Sequence, residues 1–274
     1  MSSFLDEVTI VVLQQDFHKR HQIGQELLEY LQNPANSLEC ENVGQLIDGL
    51  AHWVSASNYK VSLLGLECLG ALAERMKDGF KVHISAVLPA VQDRLGDSKD
   101  AVRDQAQALI QKLMHPVSTP QYVFERVMRA FGHKNYRVRE EVLLCLMQTI
   151  NTFGATSLSL NKIVPSICKL LGDPNSQVRD TAINTLVEIY RHVGEKVRID
   201  LGKKGIPSSR LSIIYAKFDD VKKSGRMIAQ DTGVKSPGQD EVDSARVSTA
   251  TRSKPRPSTG TIKKTTSSRV GNAP

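Results

Sequence analysis

About every forty residues along this chain a polar stretch returns in which a cation, an amide, a hydroxyl or an aromatic ring stand together. The first such stretch holds Phe17, Lys19 and Arg20, and the second holds Trp53, Ser57, Asn58, Tyr59 and Lys60. The third offers Ser98 and Lys99, the fourth His133, Lys134, Asn135, Tyr136 and Arg137, the fifth Asn175, Ser176 and Gln177. Exposed cations steer and register an acidic partner, while an aromatic ring beside them supplies desolvated contact. That is the chemistry of binding rather than of turnover. No phosphate-cradling glycine loop, zinc-protease helix, nucleophile elbow or EF-hand loop occurs. His18 and His21 stand three apart, but no cysteine or carboxylate completes a metal set with them. Cys40, Cys68, Cys145 and Cys168 form no C-x-x-C pair, and the last three fall in apolar helical patterns that suit packing better than nucleophilic attack. The chain reads as a non-enzyme with no cofactor and no metal.

Placing such residues along one edge requires a repeating scaffold, and the sequence contains one. At an offset of 76 residues Pro89 falls on Pro165, Leu95-Gly96-Asp97 on Leu171-Gly172-Asp173, Val102-Arg103-Asp104 on Val178-Arg179-Asp180, and Ala106 on Ala182. A weaker copy around Val138 and Arg139 lies between them. With Arg20, Ser62, Arg103, Arg139 and Arg179 as one aligned position, the steps are 42, 41, 36 and 40 residues. A sixth, shorter unit follows Gly194, with Ser208-Ser209-Arg210 opening its last helix.

Each unit reads as two helices and a short turn. In the fifth, Ile163, Ile167 and Leu171 share one face, and Val178, Ala182, Leu186, Ile189 and Val193 form a stripe on the next helix. Gly172-Asp173-Pro174-Asn175 breaks the pair. Pro89 and Pro165, inside first helices, are expected to bend them without ending them. Helix pairs of this period are HEAT repeats, which bury their stripes only when stacked. The predicted fold is all-α, a HEAT-repeat solenoid of six helix pairs over residues 1–230.

The 274 residues carry a formal charge of +7. From Ser244 to Pro274 there are seven cations (Arg246, Arg252, Lys254, Arg256, Lys263, Lys264 and Arg269) and no acid, so residues 1–243 are formally neutral. Residues 231–274 are therefore predicted to be a disordered basic tail rich in Ser, Thr and Pro. No apolar run is long enough to span a bilayer, and the acidic start with unpaired cysteines reads as cytosolic.

Not every turn residue need be functional. Arg103, Arg139 and Arg179 recur with Asp97 and Asp173 and are read as structural Asp–Arg ladders between repeats. Ser57, Ser98 and Asn175 are candidate helix N-caps. For Trp53 two readings compete, half-buried core or contact anchor. The polar Ser-Ala-Ser-Asn turn after it favours the anchor. Lys60, Lys99 and Lys134 have no structural need to be basic.

The turn-lined solenoid, with the segments Asn58-Tyr-Lys-Val-Ser-Leu-Leu-Gly65 and Leu171-Gly-Asp-Pro-Asn-Ser-Gln-Val-Arg-Asp180, resembles the TOG domains of microtubule regulators. Val187-Glu-Ile-Tyr-Arg-His-Val-Gly194 and Lys217-Phe-Asp-Asp-Val221 look most like the N-terminal TOG domain of the CLIP-associating proteins (CLASPs). The resemblance covers roughly residues 5–230. It implies a paddle of six HEAT pairs whose turn edge binds the tubulin heterodimer, in a protein that suppresses catastrophe and promotes rescue at microtubule plus ends. By position it makes Phe17, Arg20, Lys60, Lys99, Lys134 and Arg137 tubulin contacts, and the reading of the turns adds Lys19, Trp53, Ser57, Asn58, Asn135, Asn175 and Gln177 to the candidate tubulin-binding set. Phe17 stands where many TOG domains have tryptophan, and the tryptophan here is in the second turn instead. The basic tail resembles the lattice-touching linkers of CLASPs. The resemblance also implies a longer parent protein, other plus-end partners through its remaining parts, and a place on cytoplasmic microtubules, the spindle and the kinetochore. Two rival classes remain: a HEAT-repeat scaffold or adaptor, which would use its concave face, and a nucleic-acid-binding solenoid, which the neutral body disfavours.

Overall fold

The computed structural model describes residues 3–14 and 16–228. Among these are twelve α-helices, and they fall into six pairs. The pairs are α1 (Phe4–Val12) with α2 (Phe17–Gln32), α3 (Val43–Val54) with α4 (Tyr59–Met76), and α5 (Ile84–Arg94) with α6 (Asp100–Lys112). They continue with α7 (Pro120–Val127) and α8 (Tyr136–Phe153), α9 (Leu160–Leu170) and α10 (Ser176–Val193), and α11 (Glu195–Gly202) and α12 (Ser208–Lys223). No strand occurs among the described residues. The expected all-α solenoid of six helix pairs is what forms. These residues lie within one unit, Met1–Thr232, and the predicted basic tail with its seven cations lies outside the described residues.

Local chemistry starts and stops the helices where the repeat demands. Ser3 and Asp6 form a reciprocal capping box on α1, and Thr119 caps α7 ahead of Pro120, whose missing N–H costs nothing at a first helical position. Gly154 and Gly194 end α8 and α10 with φ of 83° and 79°, values that a side chain would strain. Pro89 and Pro165 lie inside α5 and α9, as expected. The predicted stripes are the core: Ile163, Ile167 and Leu171 are buried, as are Val178, Ala182, Leu186 and Ile189, with Val193 half-buried beside them.

Second helices pack on second helices through the stack, α2 on α4, α4 on α6, α8 on α10 and α10 on α12. At the middle seam, long polar side chains of α6 reach α8. Arg103 pairs with Glu141 at 3.3 Å, Gln107 donates to the Glu141 carbonyl at 2.7 Å, and Gln111 donates to Thr149 at 3.3 Å. One close approach explains a glycine. A Cβ on Gly65 would lie 3.0 Å from both the Leu50 carbonyl oxygen and the Val54 nitrogen, so only glycine lets α4 meet the α3 backbone there.

Candidate binding ridge

The five turns inside the first five pairs share one construction. Take the starting positions as Gln14, Ala56, Asp97, His133 and Asp173. Two residues on stands the N-cap of the second helix: Asp16, Asn58, Lys99, Asn135 and Asn175. Six residues on stands Arg20, Ser62, Arg103, Arg139 or Arg179, and in four turns that arginine donates back to the carbonyl of the starting residue. The distances are 2.8 Å for Arg103 to Asp97, 2.7 Å for Arg139 to His133 and 2.8 Å for Arg179 to Asp173, with Arg20 bonded likewise to Gln14. Asp97, His133 and Asp173 also accept the N–H two residues ahead, at 2.9 to 3.1 Å. The second turn replaces arginine with buried Ser62, which donates to the Val54 carbonyl at 2.8 Å.

This construction corrects several sequence expectations. The caps are Asn58 and Lys99, one residue beyond the proposed Ser57 and Ser98, whereas Asn175 caps α10 as anticipated. The amide oxygens are thus committed as caps, which leaves the NH2 groups of Asn58 and Asn175 facing outward from the caps without a hydrogen bond among the described residues. Asn58, Asn135 and Asn175 accept backbone N–H groups, and Asn135 also donates to the Gly96 carbonyl at 3.2 Å. Arg20, half-buried, is a turn brace like its aligned counterparts and lies 6.0 Å from the Trp53 ring.

Trp53 is the clearest reversal. It is 0% exposed, the largest fully buried side chain, and its indole N–H donates to the Val12 carbonyl at 2.9 Å. It is core, not a contact anchor. A Cβ on Gly24 would come within 3.0 Å of the ring, so α2 needs a glycine where it crosses this indole. The signal was in the sequence: Leu46, Ile47, Leu50, Trp53 and Val54 follow helical period, and all are buried.

What remains free lies at the helix starts. Phe17, Tyr59 and Tyr136 occupy the same place, first residue of the second helix, in turns one, two and four. Tyr59 is 43% exposed and Phe17 half-buried, so the second turn's accessible aromatic is Tyr59, a residue that the sequence reading left off its contact set. Lys19, Ser57, Lys60, Lys99, Lys134, Arg137 and Gln177 are exposed. The Lys99 ammonium sits 5.5 Å from the Tyr59 ring and the Arg137 guanidinium 5.8 Å from the Tyr136 ring, within cation–π range.

Contacts between neighbouring turns make these positions one strip. Trp53 ties the first turn to the second, and Arg94 ties the second to the third by donating to the Val54 carbonyl at 2.6 Å. Asn135 joins the third to the fourth. Arg139 grips Asp173 through two bonds of 2.7 and 2.8 Å, the inter-repeat Asp–Arg pair expected of the fourth and fifth turns. Lys203 and Lys204 are exposed in the sixth turn. Their adjacency was legible, but the sixth turn was not among those read.

The Arg139 hydrogen bonds hold the Asp173 carboxyl below its ordinary value, with the Asn175 N–H adding to that against the opposing effect of burial. A carboxyl lowered on folding stabilises the fold above its unfolded pKa of about 3.9 and loses that contribution as pH falls through the folded value. Asp173→Asn is therefore expected to cost about 2 kcal/mol at pH 7. In urea unfolding, the gap between parent and variant should close as the pH is taken below about 4. A pH-independent gap would contradict the pairing. The thiols fit packing roles: burial raises the pKa of Cys68 and pushes Cys145 up to about 12, and it raises Cys40 and Cys168 as well. Among the described residues no His, Cys, Asp and Glu group is arranged to hold a metal ion, and no helix is long and apolar enough to cross a membrane.

Residues 22–202 match the family described as XMAP215/Dis1/CLASP, TOG domain. CLIP-associating protein 1-B of Xenopus laevis is 54% identical over 247 residues, covering 88% of this chain and 17% of that protein. The CLIP-associating protein of Drosophila melanogaster is 39% identical over 234 residues, covering 83% of this chain and 16% of that protein. The crystal structure of the MAST/Orbit N-terminal domain superposes with a TM-score of 0.78 at 39% identity, covering 81% of this chain and all of that one. The chain thus spans about a sixth of the length of these curated relatives.

Proposed function

The chain belongs to the XMAP215/Dis1/CLASP TOG-domain family, and from that premise we propose that it is a non-enzymatic tubulin-binding module of a CLASP-type microtubule regulator. The observation that carries this reading is the strip of exposed Lys60, Lys99, Lys134 and Arg137, which gathers positive charge along one edge of a body that as a whole is formally neutral. Tubulin is acidic, so such a strip speeds encounter and sets register, while Tyr59 and Phe17 offer surface to desolvate. Lys19, Ser57 and Gln177 lie in the same edge and fit its rim. Trp53, Arg20 and Asn135 support the edge from within. The seven tail cations add a sequence-independent attraction for an acidic lattice, one that salt screens. In the longer protein the module serves catastrophe suppression and rescue at plus ends, with its place on cytoplasmic microtubules and the spindle.

The test is size-exclusion chromatography of the full chain with unpolymerised tubulin and, separately, sedimentation with microtubules, with duplex DNA as a parallel control. Association with tubulin or microtubules that outlasts DNA binding as salt rises is the expected result. Equal retention of DNA and tubulin at every salt concentration would place the chain among non-specific polycations, and absence of both tubulin and microtubule binding would overturn the reading.

A further inference from the structure

Beyond the ridge, the seam between the fifth and sixth pairs holds two shallow cavities that share Lys204. One, of about 290 Å³, lies between α9, α10 and α11 over an apolar floor that includes Val164, Val193 and Val197. The other, of about 270 Å³, lies between α9 and the sixth turn over Pro165, Leu171 and Pro207. Five cations rim the two, Lys169, Lys196, Lys203, Lys204 and Arg210, against a single carboxylate, Asp200. None of the five enters an ion pair among the described residues. The body of the chain is formally neutral, so this excess is local and no general surface charge explains it.

We propose that this seam is a groove for an extended acidic peptide of a partner protein, one whose carboxylates alternate with apolar side chains. Side chains of an extended segment alternate in direction, so every second one can enter an apolar floor while those between reach the rim. Two apolar floors flank Lys204 to receive such side chains, and the unpaired cations match the carboxylates. A bare anion would use the cations and leave both floors uncovered. The groove lies beside the sixth turn and along the α9–α11 seam, and none of its lining belongs to the second or fourth turn that holds Lys60 or Lys134.

The probe is a fluorescein-labelled octapeptide alternating glutamate and leucine, titrated by anisotropy into the full chain. Lys204→Glu with Arg210→Glu is expected to raise its Kd at least about tenfold, and Lys60→Glu with Lys134→Glu to change it less than about twofold. The tail contributes equally to both variants, so their difference reads the groove. Cys168 provides a local readout because it lines the second cavity. The peptide should slow its maleimide alkylation while leaving Cys40, at the other end of the stack, unaffected. Replacing glutamate by glutamine, or leucine by serine, should each abolish the protection. Equal Kd for the parent and the Lys204/Arg210 variant would overturn the proposal. So would full binding by the serine peptide, displacement by inorganic phosphate at matched ionic strength, or an unprotected Cys168.

Discussion

Trp53→Ala is expected to lower the stability of the domain by about 3–5 kcal/mol, the range for removing a large buried aromatic. For a domain of this size that corresponds to a fall in melting temperature of roughly 6–20 °C. Three losses combine. The indole leaves the core shared by α2, α3 and α4, where Gly24 and Gly65 hold the backbones close around it. The Val12 carbonyl loses its donor at the end of α1. Arg20 loses the ring beside its guanidinium. Trp53→Phe should be milder because the ring volume is partly kept, and its residual cost of about 1 kcal/mol reports the missing N–H donor. Calorimetry of the three proteins tests this. Should Trp53→Ala melt with the parent yet bind tubulin poorly, the indole would be a contact after all.

The complementary expectation concerns binding without loss of fold. Lys60→Glu with Lys134→Glu should weaken tubulin association by about thirty- to a hundredfold, or roughly 2–3 kcal/mol, since each reversal replaces an attraction with a repulsion against an acidic partner. Both side chains are exposed and neither is an N-cap or a turn brace, so melting should stay within about 0.5 kcal/mol of the parent. Tyr59→Ala should act in the same direction, because it removes the accessible aromatic and the surface under Lys99. The measurement is association of each variant with tubulin at fixed salt. Asn135→Ala supplies the contrast: its amide caps α8 and bridges to Gly96, so it should cost stability first. If the Lys60/Lys134 variant binds as the parent does, the ridge is not the interface.

The fold was legible because its information is local and repeated. An apolar residue every three or four positions specifies a helix face whatever surrounds it, and a pattern returning every 36 to 42 residues specifies stacking. Hence the six pairs, the prolines carried inside α5 and α9, and the buried stripes of α9 and α10 followed from residue order. The structural role of the recurring arginines was legible for the same reason, although only Arg139 and Asp173 form the expected Asp–Arg pair between repeats, while Arg103 crosses to Glu141 and Arg179 braces its own turn.

The division of labour within each turn could not be read that way. Asn58, Asn135 and Lys60 look alike in sequence as polar turn residues, but hydrogen-bond direction separates them. Both amide oxygens accept backbone N–H groups and Asn135 also donates its NH2 to Gly96, while the lysine ammonium makes no bond among the described residues and stays available. Trp53 depended on Val12, 41 residues away, whose carbonyl receives the indole and allows a ring with a polar edge to be buried. The seam groove likewise joins Lys169 on α9 to Lys204 and Arg210 around the sixth turn, residues that no helical period connects. Sequence periodicity determined which faces are apolar, because that depends on spacing along one helix. Tertiary structure alone decided which polar groups are spent and which remain free, because a hydrogen bond or an uncompensated charge depends on the neighbouring repeat.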